Sequence, residues 1–227
     1  IQGEEKVMKK LINDPFDVVD EMLEGFLDVH RQHVRKLETA RTIVRADAPV
    51  KGKVGVVTGG GSGHKPAFIG FIGKFFFNEV AVTEIFTSPP PLSVFEAAKA
   101  VNGGKGVVFL LGNYSGDVMN FGLAVEMCRD EGIPVEQVIA TDDVGSGSKE
   151  KASNRRGVVG EFFAWKLAGA KAESGGSLEE CKAVAEKVNN NVRTMGVGLT
   201  SCIPPAKGDV IFDIGDDEME VGVGIHG

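Results

Sequence analysis

The sequence predicts an α/β protein in which a mostly parallel sheet is covered by helices. Three observations lead there. Short apolar runs rich in β-branched residues recur at 54–58, 80–82, 107–111 and 135–140, the texture of strands buried on both faces. Stretches with helical spacing separate them, and strand–helix alternation from 54 to about 190 specifies parallel pairing. Beyond 190 the texture changes to short strand-like runs and turns. We therefore expect a first domain over 1–190 and the beginning of a second α/β domain over 191–227, apparently truncated. The last residues, Ile225-His226-Gly227, fall inside what reads as another glycine-rich loop, and a longer natural chain is expected.

Residues 7–30 carry Val7, Leu11, Ile12, Phe16, Val19, Met22, Leu23, Phe26 and Leu27 at roughly helical spacing. Pro15 divides them into two helical pieces, with Asn13-Asp14 capping the second. Residues 31–53 are polar and read as an extended connection. The strand at 54–58 then leads into Gly59-Gly60-Gly61-Ser62-Gly63-His64-Lys65-Pro66, and residues 68–72 could open a helix. After the strand at 80–82, Pro89-Pro90-Pro91 fixes a rigid loop, and a helix follows over 93–101. The run Val107-Val108-Phe109-Leu110-Leu111 is the clearest buried strand, followed by Gly112-Asn113-Tyr114-Ser115-Gly116-Asp117 and a helix over 118–129. The strand at 135–140 meets an acidic-glycine loop at 141–147, and a helix runs from about 157 to 172. Ser177 with Glu180 forms a capping box opening a helix over 177–190. Residues 197–200, 210–212 and 220–223 read as strands.

The composition, 42% hydrophobic and 25% charged, is that of an ordinary globular protein. A net charge of -7 argues against nucleic acid as a partner. The longest apolar runs, about six residues, fall short of the roughly 20 a spanning helix needs, so no membrane association is expected. Cys128, Cys181 and Cys202 are scattered and lack zinc-site spacing. With no signal-like N-terminus, they point to a reduced, cytoplasmic setting.

A glycine-rich turn at the carboxyl end of a parallel strand is where open α/β sheets place ligands. The 59–64 stretch fails both familiar nucleotide tests. A Walker A loop needs Gly-Lys-Ser/Thr where His64 stands, and the dinucleotide fingerprint needs Gly at that position. Topology brings the loops 59–64, 86–91 and 112–117 to the same sheet edge. Each has a plain reading: a structural turn, an N-cap at Asp117, a surface histidine at His226. An imidazole, a carboxylate and amide donors in one pocket would suit proton abstraction from a small hydroxylated or carbonyl compound. A binder of an acyl chain or lipid remains an alternative for such a domain.

Four motifs in order raise the first reading: Gly59 to His64, Glu84-Ile85-Phe86-Thr87-Ser88-Pro89, Asn113-Tyr114-Ser115-Gly116-Asp117, and Met219-Glu220-Val221-Gly222-Val223-Gly224-Ile225-His226-Gly227. Met8-Lys9-Lys10-Leu11-Ile12-Asn13-Asp14 and Arg45-Ala46-Asp47-Ala48-Pro49-Val50 fit as well. Together they resemble the substrate-binding K subunit of the dihydroxyacetone (glycerone) kinase family, which is also the N-terminal half of its fused, ATP-using kinases.

The resemblance implies that His226 tethers the ketose as a hemiaminal and that His64 hydrogen-bonds it and accepts a proton. It implies that Asp117 holds or deprotonates the hydroxyl receiving phosphate, and that Gly61, Ser62, Gly63 and Gly112 line the pocket. It further implies a homodimer and a helical L subunit or domain carrying ADP or ATP with magnesium, recharged from phosphoenolpyruvate or exchanging ATP; no metal is expected on this chain. Two positions depart from the family pattern. His64-Lys65-Pro66 replaces His-Glu-Pro, and Gly112 replaces a substrate-contacting lysine. Those departures suggest a paralogue for a four-carbon ketose, or a non-catalytic dihydroxyacetone-binding coactivator of a transcription regulator.

Overall fold

The computed structural model describes residues 10–226. The first piece of the helix expected over 7–30, most of the Met8–Asp14 motif's first half and the final Gly227 lie outside or at the edge of the described residues. Six strands form one sheet: β1 (Val34–Lys36), β2 (Thr42–Arg45), β3 (Gly55–Ser62), β4 (Glu79–Ile85), β5 (Val107–Gly112) and β6 (Val135–Ala140). Their spatial order is β1-β2-β4-β3-β5-β6. The four strands β4, β3, β5 and β6 run parallel, and β1 and β2 add an antiparallel edge beside β4.

The strands alternate cleanly between two cores. Val108 and Leu110 of β5 face one side with helices α1 (Val18–His30), α4 (Gly160–Glu173) and α5 (Leu178–Asn191). Val107, Phe109 and Leu111 face the other, against α2 (Pro91–Val101) and α3 (Ser115–Asp130). Phe109 and Phe121 meet edge to face, their centroids 5.5 Å apart and both fully buried. Burying each stabilises the fold by about 2–3 kcal/mol. The capping box at α5 forms as expected, with Ser177 Oγ accepting from Glu180 N and Glu180 from Ser177 N.

Several expectations change. The polar stretch 31–53 holds β1 and β2 rather than an extended connection. Arg45 is buried in β2 because Asp47 and Glu173 neutralise it. Residues 68–72 make only a 3₁₀ turn, Ile69–Phe71. The second helical piece near the start begins at Val18, and Asp14 instead accepts from Phe16 N in a local turn. Residues 210–212 are not a strand; β7 (Val197–Gly198) and β8 (Glu220–Val221) form a small antiparallel pair. The glycines 59–61 are not a turn. They continue β3, paired with β4 as far as Ser62.

The last point positions the site. Pairing between β3 and β5 stops at Val57 opposite Phe109, although each strand runs several residues further with its other neighbour. Past that register the sheet splits. The chain leaves β3 toward the α1/α4/α5 side, through Ile69 and Phe77, and leaves β5 into α3 on the opposite side. Adjacent parallel strands whose connections depart to opposite faces leave a crevice at their carboxyl ends, the usual ligand position in open α/β sheets.

Candidate active site

A cavity of about 250 Å³ occupies that split. Gly60 and Gly61 of β3 form one wall, Gly112 at the end of β5 and Asp117 in the first turn of α3 another, with His64, Phe86, Glu161 and His226 closing it. Half of the backbone donors and acceptors of Gly59–Ser62 lie on the edge released by β5 and so face the crevice. Gly61 has no alternative here: a Cβ would lie 2.7 Å from the backbone N and Cα of Phe86. Of the expected contact residues, Gly61, His64, Gly112, Asp117 and His226 line the cavity. Ser62 and Gly63 do not. Because β3 continues through Ser62, its side chain turns away and its Oγ donates to Thr83 O. Both residues instead border a second hollow with Val18, Met22 and Pro204.

The two imidazoles come from positions 162 residues apart, yet His64 Nε2 and His226 Nε2 are 3.0 Å from one another. One ring therefore presents N–H and the other a lone pair. Phe86 stacks on His64 and lies tilted against His226, with centroids 4.9 Å from each, and does so from a left-handed backbone at φ 59°. A bulky residue there costs of order 1–3 kcal/mol, a strain that clusters at functional sites. Tyr114 closes on His226 at 5.4 Å between centroids. Burial, followed by the charges of His226 and Lys65, brings the His64 pKa down to about 4. Partial burial lowers that of His226 as well. Both rings are thus neutral at ordinary pH, the state a nucleophile or proton acceptor needs.

His226 reaches the cavity on a tail that is tied down at a few points. Thr194 N donates to Asp142 O and Val144 N to Thr194 O. Gly222 N donates to Gly196 O. Arg156 Nε donates to Asp143 Oδ2 at 2.8 Å, and its Nη2 to Gly222 O at 2.6 Å. Asp142 in turn accepts from Val158 N and Gly160 N, satisfying the open amides at the start of α4. The acidic-glycine loop is therefore the bracket between helix and tail.

Asp117 is not the N-cap of α3, a place Tyr114 holds. It lies in the first turn, where the helix dipole favours a carboxylate. Its Oδ1 is nonetheless buried without a partner, and burial pushes its pKa up to about 6, with the Ser88 hydroxyl offsetting part of the effect. Such a group sits where a general base works. Several lining residues escaped the sequence reading as ligand contacts, among them Phe86, Tyr114 and Glu161. Glu161 left a usable signal, being the lone charge in Gly160-Glu161-Phe162-Phe163-Ala164-Trp165. Among the described residues, no group of three or more His, Cys, Asp or Glu side chains is arranged to hold a metal ion, and no helix is long and apolar enough to cross a membrane.

Residues 24–227 match the model of the Dak1 domain. The chain belongs to the Dak1 family. It is 44% identical over 220 residues to the dihydroxyacetone-binding subunit DhaK of PTS-dependent dihydroxyacetone kinase 1 from Listeria innocua, covering 97% of this chain and 67% of that protein. It is 42% identical, over 97% of its length, to a D-erythrulose kinase of Mycolicibacterium smegmatis, of which it spans 38%. The native crystal structure of the C. freundii dihydroxyacetone kinase superposes with a TM-score of 0.85 at 34% identity, covering 96% of this chain and 40% of that one. The chain spans about two thirds or less of the length of these curated relatives.

Proposed function

We propose that this chain is the ketose-binding part of a dihydroxyacetone-type kinase, capturing a short ketose covalently on His226 and presenting its terminal hydroxyl for phosphorylation. The observation that carries the reading is the pair of neutral imidazoles, 3.0 Å apart over a cavity whose other wall holds Asp117. The names of the Listeria and Mycolicibacterium relatives support the substrate class.

The step balances as follows. The lone pair of a His226 ring nitrogen attacks the ketone carbon, and the carbonyl π pair moves to oxygen. That oxygen gains a proton while the imidazole loses its own N–H, leaving a neutral hemiaminal. His64, within hydrogen-bond distance of the attacking ring, relays the proton. A bond is useful because a triose has only six heavy atoms, which at about -1.5 kcal/mol each limits any non-covalent grip. It fixes orientation for the next step, and it excludes polyols lacking a carbonyl. Asp117 then takes the proton of the hydroxyl that receives phosphate.

The donor nucleotide and its magnesium belong to a helical L subunit or domain; the absence of a Walker sequence around His64 agrees with this. A homodimer in the cytoplasm completes the proposal, with light scattering of the whole protein as its check. Intact mass spectrometry after incubation with dihydroxyacetone tests the capture step. We expect a mass increase of one ketose that Asp117→Asn retains and His226→Ala abolishes. An adduct that survives His226→Ala would refute the tether.

A further inference from the structure

The end of β5 and the start of α4 meet in the cavity wall at an unusual pair. Gly112 lacks a side chain, and a Cβ there would lie 2.6 Å from Glu161 Oε1 and 2.9 Å from the Tyr114 ring. The carboxyl of Glu161 therefore fills the space a residue at 112 would take. Glu161 is only 4% exposed, lines the cavity, and its Oε2 has no hydrogen-bond partner. The neighbouring Tyr114 hydroxyl is likewise buried without one. Asp142, the nearest acid across the helix start, has its own oxygens engaged by Val158 N, Gly160 N and Thr194 Oγ1. Nothing in the described structure satisfies Glu161, and a buried polar group is rarely left so.

Burial above all, then the charges of Asp142 and Asp117, hold its carboxyl well above the usual carboxylate range. A protonated carboxyl presents one donor and an acceptor, which is what a sugar hydroxyl pairs with. The cavity, about 250 Å³, has room for either ketose, a triose of six heavy atoms or a four-carbon ketose of eight, so its size does not choose between them.

We propose that Glu161 is a specificity-determining residue, whose carboxyl hydrogen-bonds the hydroxyl on a fourth carbon and so selects a four-carbon ketose over a triose. The inference rests on the capture reading above and deepens it. A triose held on His226 leaves the buried carboxyl unpaired, and a site built around a hydrogen bond discriminates against the analogue lacking it.

The test measures dissociation constants of dihydroxyacetone and erythrulose, by adduct yield and calorimetry, for the whole protein and for Glu161→Met and Glu161→Gln. Methionine keeps the length and apolar packing of the side chain, so the fold is retained while the polar contact is lost. The unsubstituted protein should bind erythrulose about tenfold more tightly than dihydroxyacetone. Glu161→Met should lose that preference through weaker erythrulose binding, with dihydroxyacetone within about twofold, whereas Glu161→Gln keeps a donor and an acceptor and should keep it. Equal weakening of both ketoses in Glu161→Met, or a protein that prefers dihydroxyacetone from the start, overturns the role of Glu161 and leaves capture standing. Binding of neither ketose by the unsubstituted protein overturns capture and this inference together.

Discussion

Replacing Arg156 by alanine should disable the site without unfolding the protein. The guanidinium joins Asp143, which is 1% exposed, to the Gly222 carbonyl through bonds of 2.8 and 2.6 Å. Hydrogen bonds to charged groups contribute about 1.5–3 kcal/mol each, and breaking a buried ion pair from one side costs about 3–5 kcal/mol. The Arg156 side chain is 26% exposed, and Asp143 keeps the amide of Gly145, so the lower end applies, about 2–3 kcal/mol. That loss falls on tail docking. The remaining holds there are the short β7–β8 pairing, Gly222 N to Gly196 O, and the contacts of His226 with His64, Phe86 and Tyr114. At 1.4 kcal/mol per factor of ten, the docked state becomes about 30- to 150-fold less favoured. Hydrogen exchange should show residues 220–226 losing protection by about that factor while β5 amides keep theirs. Ketose capture on His226 should weaken in parallel. Full protection of 220–226 in Arg156→Ala would show that the latch is not what presents His226.

Phosphoryl transfer should follow the protonation of Asp117. His64, with a pKa near 4, stays neutral below the point where Asp117, at about 6, takes up its proton, and partial burial lowers His226 from its ordinary value. The phosphorylation rate should drop as pH falls through about 6; a rate per captured ketose that stays level from about pH 7 to 5 would reject Asp117 as the base. For stability, the unfolded chain protonates His64 near pH 6.5 and the folded one only near 4, so its contribution is present above 6.5 and lost across that window. Asp117 opposes it, since its raised folded pKa relieves a burial penalty as pH falls from about 6 to 3.8. Phe121→Ala should destabilise the protein by about 3–5 kcal/mol, read as a lower denaturant midpoint with unchanged capture per folded molecule. Ser177→Ala removes the capping box of α5 and should cost about 1 kcal/mol, with no effect on ketose affinity.

What could be read from the sequence follows how locally each feature is determined. The strands β5 and β6 and the α5 cap are written in short-range pattern and were legible to within a residue or two. The antiparallel strand β2 was not, because Thr42 and Arg45 look polar until Glu173, far along the chain, supplies the partner of Arg45. Glycines 59–61 read as a turn because triple glycine is the strongest local turn signal. Pairing with β4 overrides it, and that is tertiary information. For the site, the convergence of the three loops followed from alternation alone. His226 entered only through family resemblance, since nothing near it in sequence announces a partner at His64. Glu161 was missed because a single acid at a helix start usually answers to the dipole; only its confinement beside Gly112 gives it another meaning.

The two glycine-lined walls also differ in which substitutions they can accept. At Gly61 the neighbours a new Cβ would strike are backbone atoms of Phe86 and Thr87, and at Gly60 it would strike the Phe68 ring at 2.4 Å. These spaces are already occupied, so any single change there must move a strand end or an aromatic packed on Trp165. At Gly112 the obstacles are the tip of Glu161 and the edge of Tyr114, side-chain ends that can swing or be exchanged. New ligand preferences can therefore arise by one or two replacements on the β5–α4 wall, while the β3 wall stays fixed and keeps the imidazole pair in register.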